Sequence, residues 1–408
     1  MATKSLNIAI VGAGPGGLAA ALALHRQGHK VVVYEQFDSP KPIGSGLILQ
    51  PTGLGVLDWL GLGERMRRLG ARIDRLAGAA STSGKIVLDV HYDALGPERG
   101  YAVHRAGLFH VLFEAVQAAN ISLETASQIK GFEDGVLLLE DGRMTPRFDF
   151  VLDALGARSP LKALSLQGAR EKQLQYGAIW ASLPWPGAPF DPHALAQRYD
   201  KASVMVGVLP IGRIHETGTE QAAFFWSLKV KDYAAWKIRG LDIWKEDVMR
   251  HWPDTAPLLQ NIKSADDLVL ARYQHHTLRK PYANRLICIG DSAHSTSPQL
   301  GQGANMALLD VMAFCSALAR HSDVSLAAED YTFQRKKHVL IYQALSKFFT
   351  PFYQSDSDIL PWLRDTLVAT FSRLPAVQKL LTSVVSGTLV SPIGPSRKKY
   401  RIMSSGAE

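Results

Sequence analysis

The sequence predicts an α/β protein. It has a parallel-sheet layer assembled from separate stretches of chain, a mostly antiparallel β-rich insert, and a helical C-terminal region. Three observations predict it. The first is "LNIAIVGAGPGGLAAALALHRQGHKVVVYEQ", which reads strand, glycine turn, helix, strand. The second is a change of texture from Gly177 to Trp226, where short aromatic and β-branched runs alternate with Pro/Gly turns. The third is the return of strand-then-helix texture from Leu268 to Arg320, with helical pattern alone after Asp330. The expected boundaries are 1–75, 101–170 and 268–330 for the parallel layer, 76–100 and 171–267 for the β-rich unit, and 331–408 for the helical region.

The runs "IAIV" and "VVVY" are continuous and apolar, as expected of parallel strands covered on both faces. Between them, "LAAALALHRQ" is a strong helix former, with Gly28 placed to end it. A chain of 408 residues is too long for one ordinary core. Its net charge of +8 is mild and dispersed, which gives no reason to expect a nucleic-acid partner. The one dense cluster is Arg397, Lys398, Lys399 and Arg401, read as a solvated tail, with weak attraction to an anionic membrane surface or to acidic substrates as the sharper alternative. Two cysteines in apolar contexts, Cys288 and Cys315, indicate no disulfide framework and a cytoplasmic protein. No run has the ~18 apolar residues of a membrane span, and the N-terminus lacks a signal-peptide pattern.

Gly12-Ala13-Gly14-Pro15-Gly16-Gly17 satisfies G-x-G-x-x-G in strand-to-helix context, and Glu35 ends the next strand. Gly12 permits the tight turn, Gly14 lets a pyrophosphate approach the backbone, and Gly17 lets helix and strand pack closely. The helix N-terminus offers N–H groups and partial positive charge. Glu35 can accept from a ribose hydroxyl and disfavours a 2′-phosphate, so this Rossmann-like unit is expected to hold FAD or NAD. Ala13 and Gln36 flank these contacts.

"GDSAHSTSPQLGQGAN", Gly290–Asn305, lies between an apolar run and a helix. A hydrolase nucleophile turn around Ser292 needs G-x-S-x-G, but His294 stands where the second Gly belongs, and the helix is expected only near Gly303. The stretch "RLICIGDSAHSTSPQLGQGANMALLD" instead resembles the GD motif of the class A flavoprotein monooxygenases. "GSGLILQPTGLGVLDWLGL" (Thr52 replacing the usual Asn), "VHRAGLFHVL" and "FYQSDSDILPWLRD" resemble other segments of that family, the last its ubiquinone-biosynthesis hydroxylase branch.

The resemblance implies a fold of the para-hydroxybenzoate hydroxylase type with tightly bound FAD. Asp291 would meet the ribityl chain, and Arg105 the pyrophosphate or ribityl. Pro298 would line the reactive face, and Gly301, Gly303, Ala304 and Asn305 would lie against the flavin ring. Ser45, Gly46 and Ile129 complete the expected cofactor set, and His294 would orient the loop. NADH or NADPH would reduce the flavin transiently. O2 would then form a C4a-hydroperoxide that hydroxylates an aromatic or related electron-rich small molecule. No catalytic side chain and no metal are expected, and the chain would be a monomer or homodimer. A flavin-dependent reductase on the same fold, or a non-catalytic FAD-binding protein, is the alternative.

The substrate pocket is expected in the β-rich unit around Tyr176, Trp180, Met205, Val206, Phe225 and Trp226, with His215 and Tyr233 as polar contacts. The chain departs from the family at Leu155, which replaces the Asp of the third motif in "DALGARS". Asp153 is a candidate to act in its place toward the nicotinamide cofactor.

Overall fold

The computed structural model describes residues 5–39, 45–164, 171–372 and 374–396. The basic cluster Arg397, Lys398, Lys399 and Arg401, and Gly44 of the resembling segment, lie outside the described residues.

The first strand, Asn7–Val11, runs mid-sheet. It pairs in parallel with Lys30–Tyr34 on one side and Phe150–Asp153 on the other. Ser122–Glu124 extends the first edge and Leu286–Cys288 the second, both parallel, and Tyr282–Ala283 closes the second edge antiparallel. One face, with Ile8, Ile10, Val33, Phe150 and Leu152, packs on the helices Pro15–Arg26 and Gly303–Arg320. The other face, with Ala9, Val11, Tyr34 and Val151, packs on the hairpin of Ile129–Glu133 and Val136–Leu139. Burial on both faces is why these strands carry no alternation in sequence.

A second sheet has seven strands, in the order Val269–Ala271, Tyr176–Pro184, Gln221–Lys229, Val204–Gly212, Ala194–Asp200, Arg75–Ala80, Ile86–His91. Its pairs are antiparallel except Ala194–Asp200 with Arg75–Ala80, because the latter strand enters from the first layer rather than through a hairpin. Val269–Ala271 pairs with Ala178–Trp180, so this sheet runs past the expected limit at 267. Its two faces are distinct. Ile179, Val206, Val208, Phe224 and Trp226 pack under Trp244 and Val248 of the helix Leu241–His251. Trp180, Met205 and Phe225 share the opposite face with Tyr199, Leu209, Ile211 and Ala223.

A small sheet of Gly46–Leu49, Gly100–His104 and Ala71–Ile73 links the two layers. The helix Val324–Tyr353 starts ahead of the expected boundary at 331, and the side chain of its N-cap, Asp323, accepts from the Leu326 N–H at 3.0 Å. Ile359–Phe371 and Pro375–Ser386 follow. No helix among the described residues is long and apolar enough to cross a membrane.

Candidate active site

The first glycine loop is set by close backbone packing. Gly12 has φ +101°, and a Cβ there would lie 2.7 Å from the Ala154 carbonyl oxygen. A Cβ on Gly17 would lie 1.9 Å from the Gly12 oxygen, so strand and helix could not approach. Gly14 is different: a Cβ there meets nothing within 4 Å. Gly14 is the N-cap of Pro15–Arg26, no side chain caps it, and Pro15 removes one donor. The first turn is therefore left without a side-chain cap at the positive end of the helix dipole. Glu35 Oε2 accepts the Ala13 N–H at 2.8 Å and Oε1 the Phe37 N–H at 3.2 Å. Gln36 is exposed beside it. These residues fit a dinucleotide pyrophosphate and its ribose.

The second loop leaves Leu286–Cys288 through Gly290, at φ +59°. A single helical turn, Asp291–His294, follows at once, ahead of the start expected near Gly303. The turn forms because Ala293 and His294 donate to the Gly290 carbonyl, both at 2.9 Å. Ser292 Oγ, fully buried, lies 2.8 Å from the Asp153 carbonyl and 2.9 Å from that of Ile289. It is tied down as a structural donor between two backbone carbonyls.

His294 Nε2 lies 2.6 Å from Asp310 Oδ2, which also accepts the Gly290 N–H at 2.9 Å, and Arg335 Nε donates to Asp310 Oδ1 at 2.7 Å. Burial alone would raise the Asp310 carboxyl, but His294 and Arg335 outweigh it and hold it well below the usual range. Gln343 Nε2 donates to the carbonyls of His294 and Ser295, and Ser297 Oγ meets Ser346 Oγ at 2.7 Å and Thr350 Oγ1 at 2.8 Å. Sequence reading missed Arg335, Gln343, Ser346 and Thr350. They sit on Val324–Tyr353 in an ordinary helical pattern, and no local signal marks them.

Several expected cofactor residues use their side chains within the protein. Asn305, fully buried, accepts from Gln50 N at 2.8 Å and donates to the carbonyls of Ile48 and Gly301, each at 3.0 Å. Ile129 lies in the core beside Tyr34. Ser45 Oγ lies 2.8 Å from Ser182 Oγ. Only their backbones are left to face a cofactor. Asp291 and Arg105, by contrast, are exposed. Gly301 has φ +61°, and Gly303 and Ala304 open a helix with no side-chain cap, a second ready site for negative charge.

The substrate set divides. Trp180 and Phe225 have ring centroids 4.5 Å apart, on the sheet face that also presents Ser182 to Ser45. Phe225 lies across Gly207, where a Cβ would be 1.9 Å from its ring. Met205 joins them, and Tyr353 packs at the edge of this cluster, one turn from Thr350 and hence from Ser297 beside Pro298. Tyr176 is on the same face, its hydroxyl 2.7 Å from Asp356 Oδ1.

Val206 and Trp226 do not belong to this wall. Strand alternation turns them to the opposite face, beneath Trp244. Tyr233 also belongs to that covered side, stacked on Trp236 at 5.5 Å. His215 is carried by the turn after Val204–Gly212 to the end of the sheet, exposed, with its ring 4.6 Å from His110. Tyr273, absent from the expected set, accepts from Trp180 Nε1 at 3.1 Å. Asp153 cannot serve in place of the missing Asp. It is fully buried, accepting Ser159 Oγ at 2.6 Å and Leu155 N at 3.0 Å, and burial raises its carboxyl to about 6.

A model of the FAD binding domain family matches residues 5–339. The chain belongs to this family. It is 25% identical over 348 residues to asperlicin C monooxygenase of Petromyces alliaceus, covering 80% of this chain and 75% of that one. It is 24% identical over 337 residues to FAD-dependent urate hydroxylase of Klebsiella pneumoniae, covering 80% and 85%. The structure of Klebsiella pneumoniae HpxO with FAD and uric acid has the same fold, with a TM-score of 0.78 at 19% identity over 94% of this chain and 98% of that one. The chain is a flavin-dependent monooxygenase and its cofactor is FAD.

Proposed function

We propose that this monooxygenase hydroxylates a small aromatic or heteroaromatic compound held against the Trp180–Phe225 wall, with NADH or NADPH as transient reductant and O2 as the oxygen source. The observation that carries this reading is the wall itself. It is an aromatic surface between Ser45–Gly46 on one side and Ser297–Pro298 on the other. FAD, when bound, would supply the redox chemistry, with electrons from the nicotinamide, one atom of O2 going to the ring and the other leaving as water.

The chain's own residues bind, orient and exclude water. Gly14 and the first helix turn take the pyrophosphate, Glu35 the ribose, and Asp291 the ribityl chain. The Gly303 helix N-terminus would hold the flavin ring and favour negative charge on it. Trp180 and Phe225 fix the plane of the substrate. Tyr273 supplies the polar contact. Its oxygen accepts from Trp180, so its own proton is left to donate to a ring oxygen. Burial pushes that hydroxyl up to about 12, so it keeps the proton at neutral pH.

The test is anaerobic flavin reduction by NADH and NADPH across phenols, hydroxypyridines and purines, followed by labelled-O2 incorporation. One class should accelerate reduction and take up a single labelled oxygen. Tyr273→Phe should lower kcat/KM by roughly tenfold for that class with FAD content unchanged. The proposal fails if no ring compound is labelled.

A further inference from the structure

Of the twenty large apolar side chains exposed among the described residues, eleven lie between Leu326 and Leu380. That concentration within one C-terminal stretch exceeds the scatter of single exposed apolar residues normal on a soluble surface.

The exposures form stripes. On Val324–Tyr353, Lys336, Lys337, Leu340, Lys347 and Phe348 recur at helical spacing on the outward side, with Leu340 62% and Phe348 61% exposed. On Ile359–Phe371, the outward residues are Ile359, Trp362, Leu363, Leu367 and Phe371, with Ile359 74% and Trp362 66% exposed. Pro361 and Arg364 of that helix are buried. The helices adjoin: Arg364 Nη1 of the second donates to the Phe352 carbonyl of the first at 2.7 Å.

The charges on this face differ in their pairing. The carboxylates between the helices are already bridged: Asp356 to Lys229 at 2.7 Å, Asp358 to Lys201 at 2.8 Å, and Asp365 to Arg364 at 2.7 Å. Lys336, Lys337 and Lys347 enter none of the ion pairs among the described residues.

We propose that this face docks on an anionic lipid surface. Aromatic and aliphatic side chains flanked by lysines suit the headgroup–acyl boundary, where apolar burial and attraction to anionic headgroups add. A second copy fits less well. A two-fold interface would bring the same lysines together on both partners without an unbridged carboxylate to meet them.

The experiment is cosedimentation of the FAD-loaded protein with phosphatidylcholine vesicles, with and without phosphatidylglycerol. Binding is expected only with the anionic lipid, and it should weaken with salt. Combined K336Q, K337Q and K347Q should lower partitioning roughly 100-fold, each lysine contributing about fivefold. Combined Ile359→Ser, Trp362→Ser and Leu367→Ser should abolish binding. Both variants should keep their FAD and their turnover of a dissolved substrate. No binding to anionic vesicles by the unaltered protein, or binding that survives both sets, overturns the proposal. So does light scattering that shows a dimer which the serine set converts to monomer, because the face then belongs to a second copy.

Discussion

The two glycine-containing loops present similar uncapped helix N-termini and are held in different ways. The Gly12–Gly17 loop is shaped by backbone against backbone, Gly12 on Ala154 and Gly17 on Gly12, with Glu35 accepting the Ala13 N–H. The Gly290–Asn305 loop is suspended from buried side chains: Asp310 with His294 and Arg335, Gln343 on two carbonyls, Ser346 and Thr350 on Ser297. A loop built by steric exclusion is specified by its own glycines. A loop hung from hydrogen bonds depends on a helix far along the chain.

The largest expected effect breaks the first loop. Gly17→Val forces a side chain into a 1.9 Å gap and should leave little folded, yellow protein. Gly14→Ala, where a Cβ has free space, should leave thermal unfolding unchanged yet weaken FAD at least tenfold (about 1.4 kcal/mol), because the methyl occupies the pyrophosphate's approach. Flavin fluorescence and melting curves separate the two. Equal melting temperatures for the two variants would refute the steric account.

The second loop is tested at Asp310. Asp310→Ala strands the buried Arg335 charge and should cost about 3–5 kcal/mol in urea unfolding, with faster FAD loss. A loss under 1 kcal/mol would mean that the network does not hold the loop.

A pH test sharpens the contrast between the two buried carboxyls. The folded-state pKa of Asp153 is raised to about 6 by burial, above its value in the unfolded chain, so the folded state favours its protonated form. Its contribution to stability is full below pH ~4 and falls as pH rises toward ~6, with a limit of roughly 2–3 kcal/mol. Asp310, held low by its partners, keeps its contribution across that window and loses it only in stronger acid. Asp153→Asn should therefore flatten the stability profile between pH 4.5 and 7.5 and stabilise the protein at neutral pH, by calorimetry. An unchanged slope would remove Asp153 as its source.

The smallest effect is at Ser292. Ser292→Ala should cost about 1 kcal/mol through its lost bonds to Asp153 and Ile289 and leave turnover intact. Abolished turnover with FAD retained would restore the nucleophile reading of this serine.

The sequence by itself determined the first loop, because its constraints act within one βαβ unit: the strand runs, three glycines and an acid at the next strand's end. Through its resemblance to a family motif it also marked Gly290–Asn305 as an expected cofactor loop, since Asp291, Gly301 and Gly303 lie in one contiguous stretch. Only the tertiary structure decided what holds that loop. Arg335 is 25 residues from Asp310 and Gln343 is 48 from Ser295, and neither interrupts the pattern of its helix. Only the tertiary structure, too, separated Phe225 from Trp226. Strand alternation sends neighbours to opposite faces, but it carries no sign. Packing of the Leu241–His251 helix through Trp244 chose the covered face, and that left Phe225 and Trp180 on the other, with Tyr273 at the Trp180 indole.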